Sequence, residues 1–341
     1  MRAASPGKFT NTPWVLGIRT DEDDRMLVSH WSRRAPSVVN RLCETTVILV
    51  LLNGADTCMR RSDNGRKTLA QRVLVAVVGI PIIVGAVVVG SWLFGSVVSC
   101  VAALAAWEYG ELMRRRGVAP QMLLLIVGAA AQVWVGFFEK APLASLGVLG
   151  IVVTLVAWGV ELWRRTGSAL LNTAATVAGI IYCGGLLSVF PLLRHGELAG
   201  IEEVPGAWVL ALLGAIWIGD SAAYAVGRKW GRHRLVPVIS PHKTWEGALA
   251  CFLGTTLAFW GFLRWWVPTF PAGEAMAIGA LLGIVGQIGD LAESKLKRDV
   301  GVKDSSALLP GHGGMLDRID SLLFAAPCLY LWLLVRGWLG S

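Results

Sequence analysis

The sequence predicts an all-α, polytopic integral membrane protein with about nine transmembrane helices. Of its 341 residues, 55% are hydrophobic and only 16% are charged, and the mean hydropathy is +0.59. This composition is too apolar for a soluble domain of that size. From Val73 onward, apolar runs alternate with short polar breaks, and each run approaches the roughly twenty residues that one crossing needs. The nine runs lie near 73–90, 92–113, 121–138, 143–163, 170–192, 207–229, 247–267, 274–292 and 317–338.

Basic residues predict the orientation of these runs. Basic clusters follow the second, fourth, sixth and eighth runs, namely Arg114–Arg116, Arg164–Arg165, Arg228–Arg234 and Lys295–Lys303. By the positive-inside rule, these loops and the N-terminus are cytoplasmic and the C-terminus is outside. If the first two runs formed one bent helix, the basic flank before Val73 would lie on the opposite side. The charge pattern therefore favours nine helices.

The chain divides into three predicted regions. Residues 1–65 form a polar extension whose apolar run, Thr45–Leu52, is too short to cross a bilayer. We interpret this region as poorly structured, or as the product of a start codon upstream of Met59. Residues 66–205 contain the N-terminal transmembrane helices. Residues 206–341 contain transmembrane helices together with the polar loops that are able to do chemistry.

The overall charge argues against a nucleic-acid partner, and the cysteine spacing argues against disulfides and a zinc site. Lysine and arginine outnumber aspartate and glutamate by 31 to 23, and in a membrane protein this excess reflects cytoplasmic loops and anionic lipid. We therefore expect no nucleic-acid partner. The six cysteines form no C-x-x-C motif, so neither disulfides nor a zinc site is predicted.

Asp220 is a carboxylate well inside the sixth apolar run. Such a charge costs about 2.5–3.5 kcal/mol on insertion scales unless a cavity, a cation or a hydrogen-bond partner compensates it. One interpretation is an interhelical hydrogen bond to a tyrosine or serine. The strongly basic loop that follows favours a functional role instead.

The basic loop at 228–244 ends in the segment Ser240-Pro241-His242-Lys243-Thr244. Membrane topology and attraction to anionic lipid explain its first half. In the second half, Pro241 precedes a helix and the hydroxyl groups can cap it. Backbone amides at a helix start, with Lys243 beside them, suit a triphosphate.

The densest polar segment is Ser294–Asp320, between the last two apolar runs. If the eighth helix continues, four polar residues share one of its faces, and Asp317 and Asp320 share a face at the start of the ninth helix. The acidic pair on the eighth helix, Asp290 and Glu293, then faces the pair Asp317 and Asp320 across the loop. Hard oxygen ligands must converge in this way to bind Mg²⁺. The four residues on the eighth helix are Asp290, Glu293, Ser294 and Lys297.

A glycine-rich segment, Gly311-His312-Gly313-Gly314, precedes Asp317. The glycines allow backbone amides to turn towards an anion, as in a phosphate-binding nest. We interpret His312 as a hydrogen-bond donor to phosphate rather than as a general base. The alternative is weaker because phosphate monoesters are already largely ionised near neutral pH.

The pattern S-x-x-K-R-x4-K-D-x5-P-G-H-G-G-x-x-D-R-x-D resembles the signature of the phosphatidate cytidylyltransferases, also called CDP-diacylglycerol synthases. The resemblance extends upstream to Gly289, Asp290, Leu291 and Glu293, and again to Asp220–Tyr224 and Ile239–Gly247. The resemblance is strong over the C-terminal third. The other helices resemble the family only in being hydrophobic, and the first sixty or so residues do not resemble it at all. The pattern is carried by Ser294, Lys297, Arg298, Lys303, Asp304, Pro310, Gly311, His312, Gly313, Gly314, Asp317, Arg318 and Asp320.

This resemblance implies an enzyme of phospholipid synthesis that joins CTP to phosphatidate, giving CDP-diacylglycerol and pyrophosphate, in a bacterial inner membrane with its site facing the cytoplasm. Asp290, Asp317 and Asp320 are the first-choice Mg²⁺ ligands and Asp220 and Asp304 the second choice, with room for a second cation. Phosphates would be neutralised by Lys243, Lys297, Arg298, Lys303 and Arg318. Further substrate contacts are expected from Ser240, Ser294, His312, Gly313 and Gly314.

Three alternatives stay open from the residues alone. A polyprenol kinase or an archaeal-type CDP-lipid synthase needs similar cations and carboxylates. A cation-coupled transporter would also place a carboxylate such as Asp220 inside a helix. Homo-oligomerisation is left open as well.

Overall fold

A computed structural model describes residues 77–138, 142–195, 206–306, 308 and 313–340. The chain separates into one unit at Met1–Arg66 and a second at Lys67–Ser341, and all described residues belong to the second. The predicted extension, residues 1–65, therefore lies outside the described residues. The further division expected between 205 and 206 stays a prediction.

Apolar helices make up most of the described chain, which confirms an all-α, polytopic membrane protein. A π-helical turn, Ile181–Gly185, follows α5, and α5, this turn and most of α6 form one crossing at Ala169–Arg194. The helices are α1 Val77–Val89, α2 Ser91–Arg115, α3 Met122–Phe138, α4 Pro142–Glu161, α5 Ala169–Ile180, α6 Val189–His195, α7 Ala207–Trp230, α8 Trp245–Trp266, α9 Ala272–Asp299 and α10 Leu316–Gly340.

Each of the nine predicted runs overlaps one of these helices or the crossing at Ala169–Arg194. In the described part of the chain, seven are long and apolar enough to span a membrane, whereas α1 and α3 are shorter apolar helices. The total of nine and the sides on which the termini lie therefore stay predictions. The eighth run proves longer than expected, because α9 continues to Asp299.

A two-stranded antiparallel hairpin, absent from the predicted all-α class, joins α7 to α8. Its strands are β1 Arg234–Val236 and β2 Ser240–Thr244. The hydroxyl of Thr244 accepts a hydrogen bond from the Gly247 amide at 3.2 Å and so caps α8. The expectation that a hydroxyl group of this segment caps the next helix is confirmed.

Glycines allow close contact between α7 and α8 and between α9 and α10, the helices that carry the predicted site residues. A Cβ added to Gly247 would lie 3.4 Å from the Cα of Gly227, and one added to Gly254 would lie 3.4 Å from the Cα of Gly219. These small residues let the backbones of α7 and α8 approach closely. A Cβ on Gly289 of α9 would lie only 2.6 Å from the backbone oxygen of Asp320. The carboxylate-bearing segments of α9 and α10 are therefore held side by side.

Candidate active site

A cavity of about 670 Å³ lies between α7, the hairpin, α8 and α9. Its walls combine small residues, such as Gly227, Gly231 and Gly247, with charged side chains of both signs. The glycines leave space where larger side chains would fill it. The charged and basic lining residues are Asp220, Arg228, Arg234, His242, Lys243 and Asp290.

Three carboxylates from three helices come together at this cavity and beside it. Asp290 forms an ion pair with Lys243. Asp220 interacts electrostatically with Asp290 and Lys243, and Asp320 interacts with Asp290, Asp220 and Lys243. One lysine is thus shared among three acidic groups. Arg318 also acts on Asp220.

These carboxylates suit Mg²⁺ by their chemistry. Within the described ranges, no group of three or more histidine, cysteine, aspartate or glutamate side chains is arranged to hold a metal. Mg²⁺, however, is usually bound by one or two carboxylates, with water and substrate phosphates completing its shell. The residues that fit this role are Asp220, Asp290 and Asp320.

Asp317 lies in a different environment from the other three carboxylates. Its Oδ1 receives the Lys297 ammonium at 2.5 Å. Its Oδ2 accepts the Ser305 amide at 3.0 Å, the Ser305 hydroxyl at 3.0 Å and the Gly314 amide at 2.8 Å. Both oxygens are therefore occupied by protein donors, and the role of Asp317 as a metal ligand stays a prediction.

Lys297 is buried between two carboxylates. Its Nζ lies 2.5 Å from Glu293 and 2.5 Å from Asp317, and its side chain is 11% exposed. The predicted helical face of Asp290, Glu293, Ser294 and Lys297 is confirmed, because α9 contains all four. The acidic residues of α9 and α10 were expected to face each other, and here Lys297 lies between one from each helix, Glu293 and Asp317.

The described glycines of the predicted anion nest surround a carboxylate. Gly313 has a φ of 83°, in the left-handed region that favours glycine. The amide of Gly314, the next residue, points at Asp317. In this part of the loop, the anion that the predicted nest binds is therefore the Asp317 carboxylate rather than a phosphate. His312 lies outside the described residues.

The remaining predicted residues have varied surroundings. Ser294 donates to Asp290 Oδ1 at 3.4 Å, and Ser240 begins β2. Arg298 donates to the backbone oxygens of Ile239 at 3.1 Å and Val302 at 2.9 Å, so it connects α9 to the hairpin. The exposed charged residues of the predicted site are Asp220, Arg298, Lys303, Asp304 and Arg318.

Sequence reasoning missed Glu108 of α2, which is completely buried and accepts hydrogen bonds from Ser305, Ser306, Met315 and Leu316. The signal was present, because a carboxylate inside an apolar run requires a partner. Glu108, like Asp220, is such a carboxylate.

The chain is similar in sequence to known proteins. A sequence model described as the cytidylyltransferase family matches residues 70–335. The chain is 33% identical to the phosphatidate cytidylyltransferase of Synechocystis sp., over 78% of this chain and 96% of the relative. It is 34% identical to the Pseudomonas aeruginosa phosphatidate cytidylyltransferase, over 79% and 98%. It is 32% identical to the Mycobacterium bovis protein of that name, over 69% and 78%.

Proposed function

Because the chain belongs to the cytidylyltransferase family, we propose that it transfers the cytidylyl group of CTP to phosphatidate, releasing pyrophosphate. It is a nucleotidyltransferase and an integral membrane protein. Two of the similar proteins above match over nearly their full length and carry the name phosphatidate cytidylyltransferase. The product of this reaction is CDP-diacylglycerol, an intermediate of phospholipid synthesis.

The observation that carries the proposal is the cavity between α7, the hairpin, α8 and α9. It brings basic side chains and carboxylates together between helices that are largely apolar. Its volume of about 670 Å³ falls within the usual range of pockets for small molecules. A nucleotide triphosphate accompanied by a divalent cation needs this combination of charges.

Basic residues at the cavity are assigned to the triphosphate. Lys243, Arg228 and Arg234 supply positive charge, and His242 adds a ring nitrogen. Since Lys243 already pairs with Asp290, the arriving phosphates compete with that carboxylate for the ammonium group. The displaced carboxylate is then available to a cation.

Mg²⁺ is the proposed cofactor, and Asp220, Asp290 and Asp320 are the residues that would hold it. When bound, the ion neutralises charge on the phosphates. The assignments of Asp317 and Asp304 as further ligands, and of a second cation, remain predictions without a supporting contact.

In the proposed reaction, a phosphate oxygen of phosphatidate attacks the α-phosphorus of CTP. A new P–O bond forms to the lipid phosphate, the bond to the oxygen bridging to the β-phosphorus breaks, and pyrophosphate leaves. The lipid phosphate is already an anion, so the attack requires no strong base. The task of the chain is to orient the two phosphates and to offset their mutual repulsion.

The site is proposed to face the cytoplasm of a bacterial cell. Exposed basic residues follow the helices whose ends would lie on that side, including Arg116, Arg165 and Arg232. This arrangement obeys the positive-inside rule. CTP is a cytosolic nucleotide, so a cytoplasmic cavity gives it direct access.

The proposal is tested by incubating the purified protein with CTP, Mg²⁺ and one lipid acceptor at a time. With phosphatidate, we expect CDP-diacylglycerol and pyrophosphate in equal amounts, and excess EDTA should abolish both. Diacylglycerol and polyprenol lack the attacking phosphate and should give no product. Phosphorylation of either acceptor, with release of CDP, would instead identify a lipid kinase.

A further inference from the structure

Glu108 joins the N-terminal helices to the polar loop between α9 and α10. We call residues 300–315 the signature loop, of which 300–306, 308 and 313–315 are described. Glu108 Oε1 accepts the Ser306 hydroxyl at 2.6 Å and the Met315 amide at 2.8 Å. Its Oε2 accepts the Ser305 hydroxyl and the Leu316 amide, each at 2.8 Å. The side chain is 0% exposed, and all four donors belong to this loop or to the first residue of α10.

The four donors come from both ends of the signature loop. Ser305 and Ser306 lie at its early end, and Met315 lies at its late end, next to Leu316. One carboxylate therefore holds the two ends together. The amides at the start of a helix have no partner within the helix, and the positive end of the helix dipole favours an anion there. Glu108 provides this anion from a distant part of the chain.

The packing around this carboxylate leaves no spare room. A Cβ added to Gly314 would overlap both Ser305 Oγ and Glu108 Oε2. The Ser305 hydroxyl also lies 3.0 Å from Asp317 Oδ2, so its single proton is shared between the two carboxylates. The start of α10 is consequently fixed from two sides, by Glu108 of α2 and by Asp317 of α10 itself.

The position of α10 determines where Asp320 lies. Asp320 is one helical turn beyond Leu316 and interacts electrostatically with Asp290. Its backbone oxygen also packs against Gly289. We propose that Glu108 is a positioning residue for the transfer reaction, holding the signature loop and the start of α10 so that Asp320 stays beside Asp290. This inference rests on the proposed function, because the reaction that Glu108 would support is the proposed cytidylyl transfer.

Glutamine at position 108 would test the proposal with little change in volume. Each carboxylate oxygen accepts one hydroxyl and one backbone amide. An NH₂ group in place of either oxygen would face an amide donor, either that of Met315 or that of Leu316. A serine hydroxyl can rotate to accept a hydrogen bond, but a backbone amide cannot. In either orientation of the glutamine, one amide at the start of α10 loses its acceptor.

Glu161 of α4 offers a matched control. It is also a buried carboxylate in a transmembrane helix, 6% exposed. It accepts hydrogen bonds from Gln121 at 3.0 Å, Arg164 at 2.8 Å and Asn172 at 3.4 Å. None of these partners belongs to the signature loop. Glu161→Gln therefore reports the general cost of losing a buried carboxylate.

The experiment measures kcat, the KM for CTP, the melting temperature and amide hydrogen exchange for both variants. For Glu108→Gln we expect kcat to fall about 10- to 100-fold with a roughly unchanged KM, because misplacement by about 1 Å is enough for such a loss. Exchange at Met315 and Leu316 should accelerate. Glu161→Gln should lower the melting temperature but keep the wild-type kcat and the wild-type exchange at these amides.

Wild-type exchange at Met315 and Leu316 in Glu108→Gln would overturn the positioning role, as would equal losses of kcat in the two variants. The exchange measurement needs no substrate, so it stays decisive even if the wild-type protein makes no CDP-diacylglycerol, a result that would overturn only the proposed function. If Glu108→Gln does not fold, Ser306→Ala removes one donor and carries the test. It should then show faster exchange at Met315 and a smaller fall in kcat, and unchanged values would overturn the proposal.

Discussion

Lys243 of β2 forms an ion pair with Asp290 of α9, across the cavity proposed to bind CTP. The two side chains are 27% and 30% exposed, although the ammonium nitrogen of Lys243 is itself buried. A phosphate would attract Lys243 and a cation would attract Asp290. The pair therefore joins the two halves of the proposed site, and substitutions on either side should have different consequences.

Lys243→Gln should raise the KM for CTP. Hydrogen bonds to charged groups contribute about 1.5–3 kcal/mol, which corresponds to an increase of roughly 10- to 100-fold. Lys229→Gln is the matched control, because Lys229 is an exposed cation at the end of α7 that stacks on Trp230 and does not line the cavity. Similar KM values in the two variants, measured by initial rates, would remove Lys243 from the nucleotide site.

Asp290→Asn and Asp317→Asn should differ in their dependence on Mg²⁺. The asparagine at 290 should lower kcat greatly and raise the Mg²⁺ concentration needed for half-maximal rate, because a ligand has been lost. The asparagine at 317 keeps one acceptor oxygen, so it removes the charge from the interactions with Lys297 and Gly314 and leaves one of these donors facing an NH₂ group. Hydrogen bonds to charged groups contribute about 1.5–3 kcal/mol. We expect a melting temperature lower by several degrees and an unchanged Mg²⁺ requirement.

Titration of Mg²⁺ and a thermal melt on both proteins distinguish these roles. If Asp317→Asn keeps the wild-type melting temperature but loses its Mg²⁺-dependent turnover, Asp317 is a metal ligand, as the sequence first suggested. Near-normal turnover in both variants would remove the metal site from the proposal.

Single cysteines should show on which side the cavity opens. In a chain whose six native cysteines are replaced, Arg232→Cys in the exposed loop after α7 should react with a membrane-impermeant thiol reagent only from the cytoplasmic side. Gly273→Cys, exposed at the start of α9, should react only from outside. The reverse labelling pattern would separate the cavity from cytosolic CTP.

A shortened chain that begins at Met59 should insert into the membrane and keep its activity. The family match begins at residue 70, and no apolar run before Met59 is long enough to span a bilayer. Membrane fractionation and the transferase assay measure the two properties. Failure to insert would give residues 1–58 a structural role.

The order and type of the helices could be predicted because long apolar runs have few alternatives in a membrane. The face of α9 that carries Asp290 and Lys297 followed from helical spacing alone. The cap of α8 by Thr244 followed from a hydroxyl just before a helix. These features depend on residues close together in the sequence.

The features that could not be predicted depend on distant contacts. Glu108 meets Ser305 and Leu316 across separations of 197 and 208 residues, and nothing in either segment identifies the other. Lys297 was expected to face phosphate, but the packing of α9 against α10 places it between Glu293 and Asp317. The spacing of residues along the sequence shows which side chains share a face of a helix, but it does not show which other helix packs against that face.

The central claim is tested most directly by following two labels in CTP. Purified protein, phosphatidate and Mg²⁺ are incubated with CTP labelled either at the α-phosphate or at the γ-phosphate, and the lipid and aqueous products are separated. Cytidylyl transfer predicts that the α-label enters the lipid and that the γ-label remains in water as pyrophosphate. Entry of the γ-label into the lipid, with the α-label left in CDP, would contradict the account.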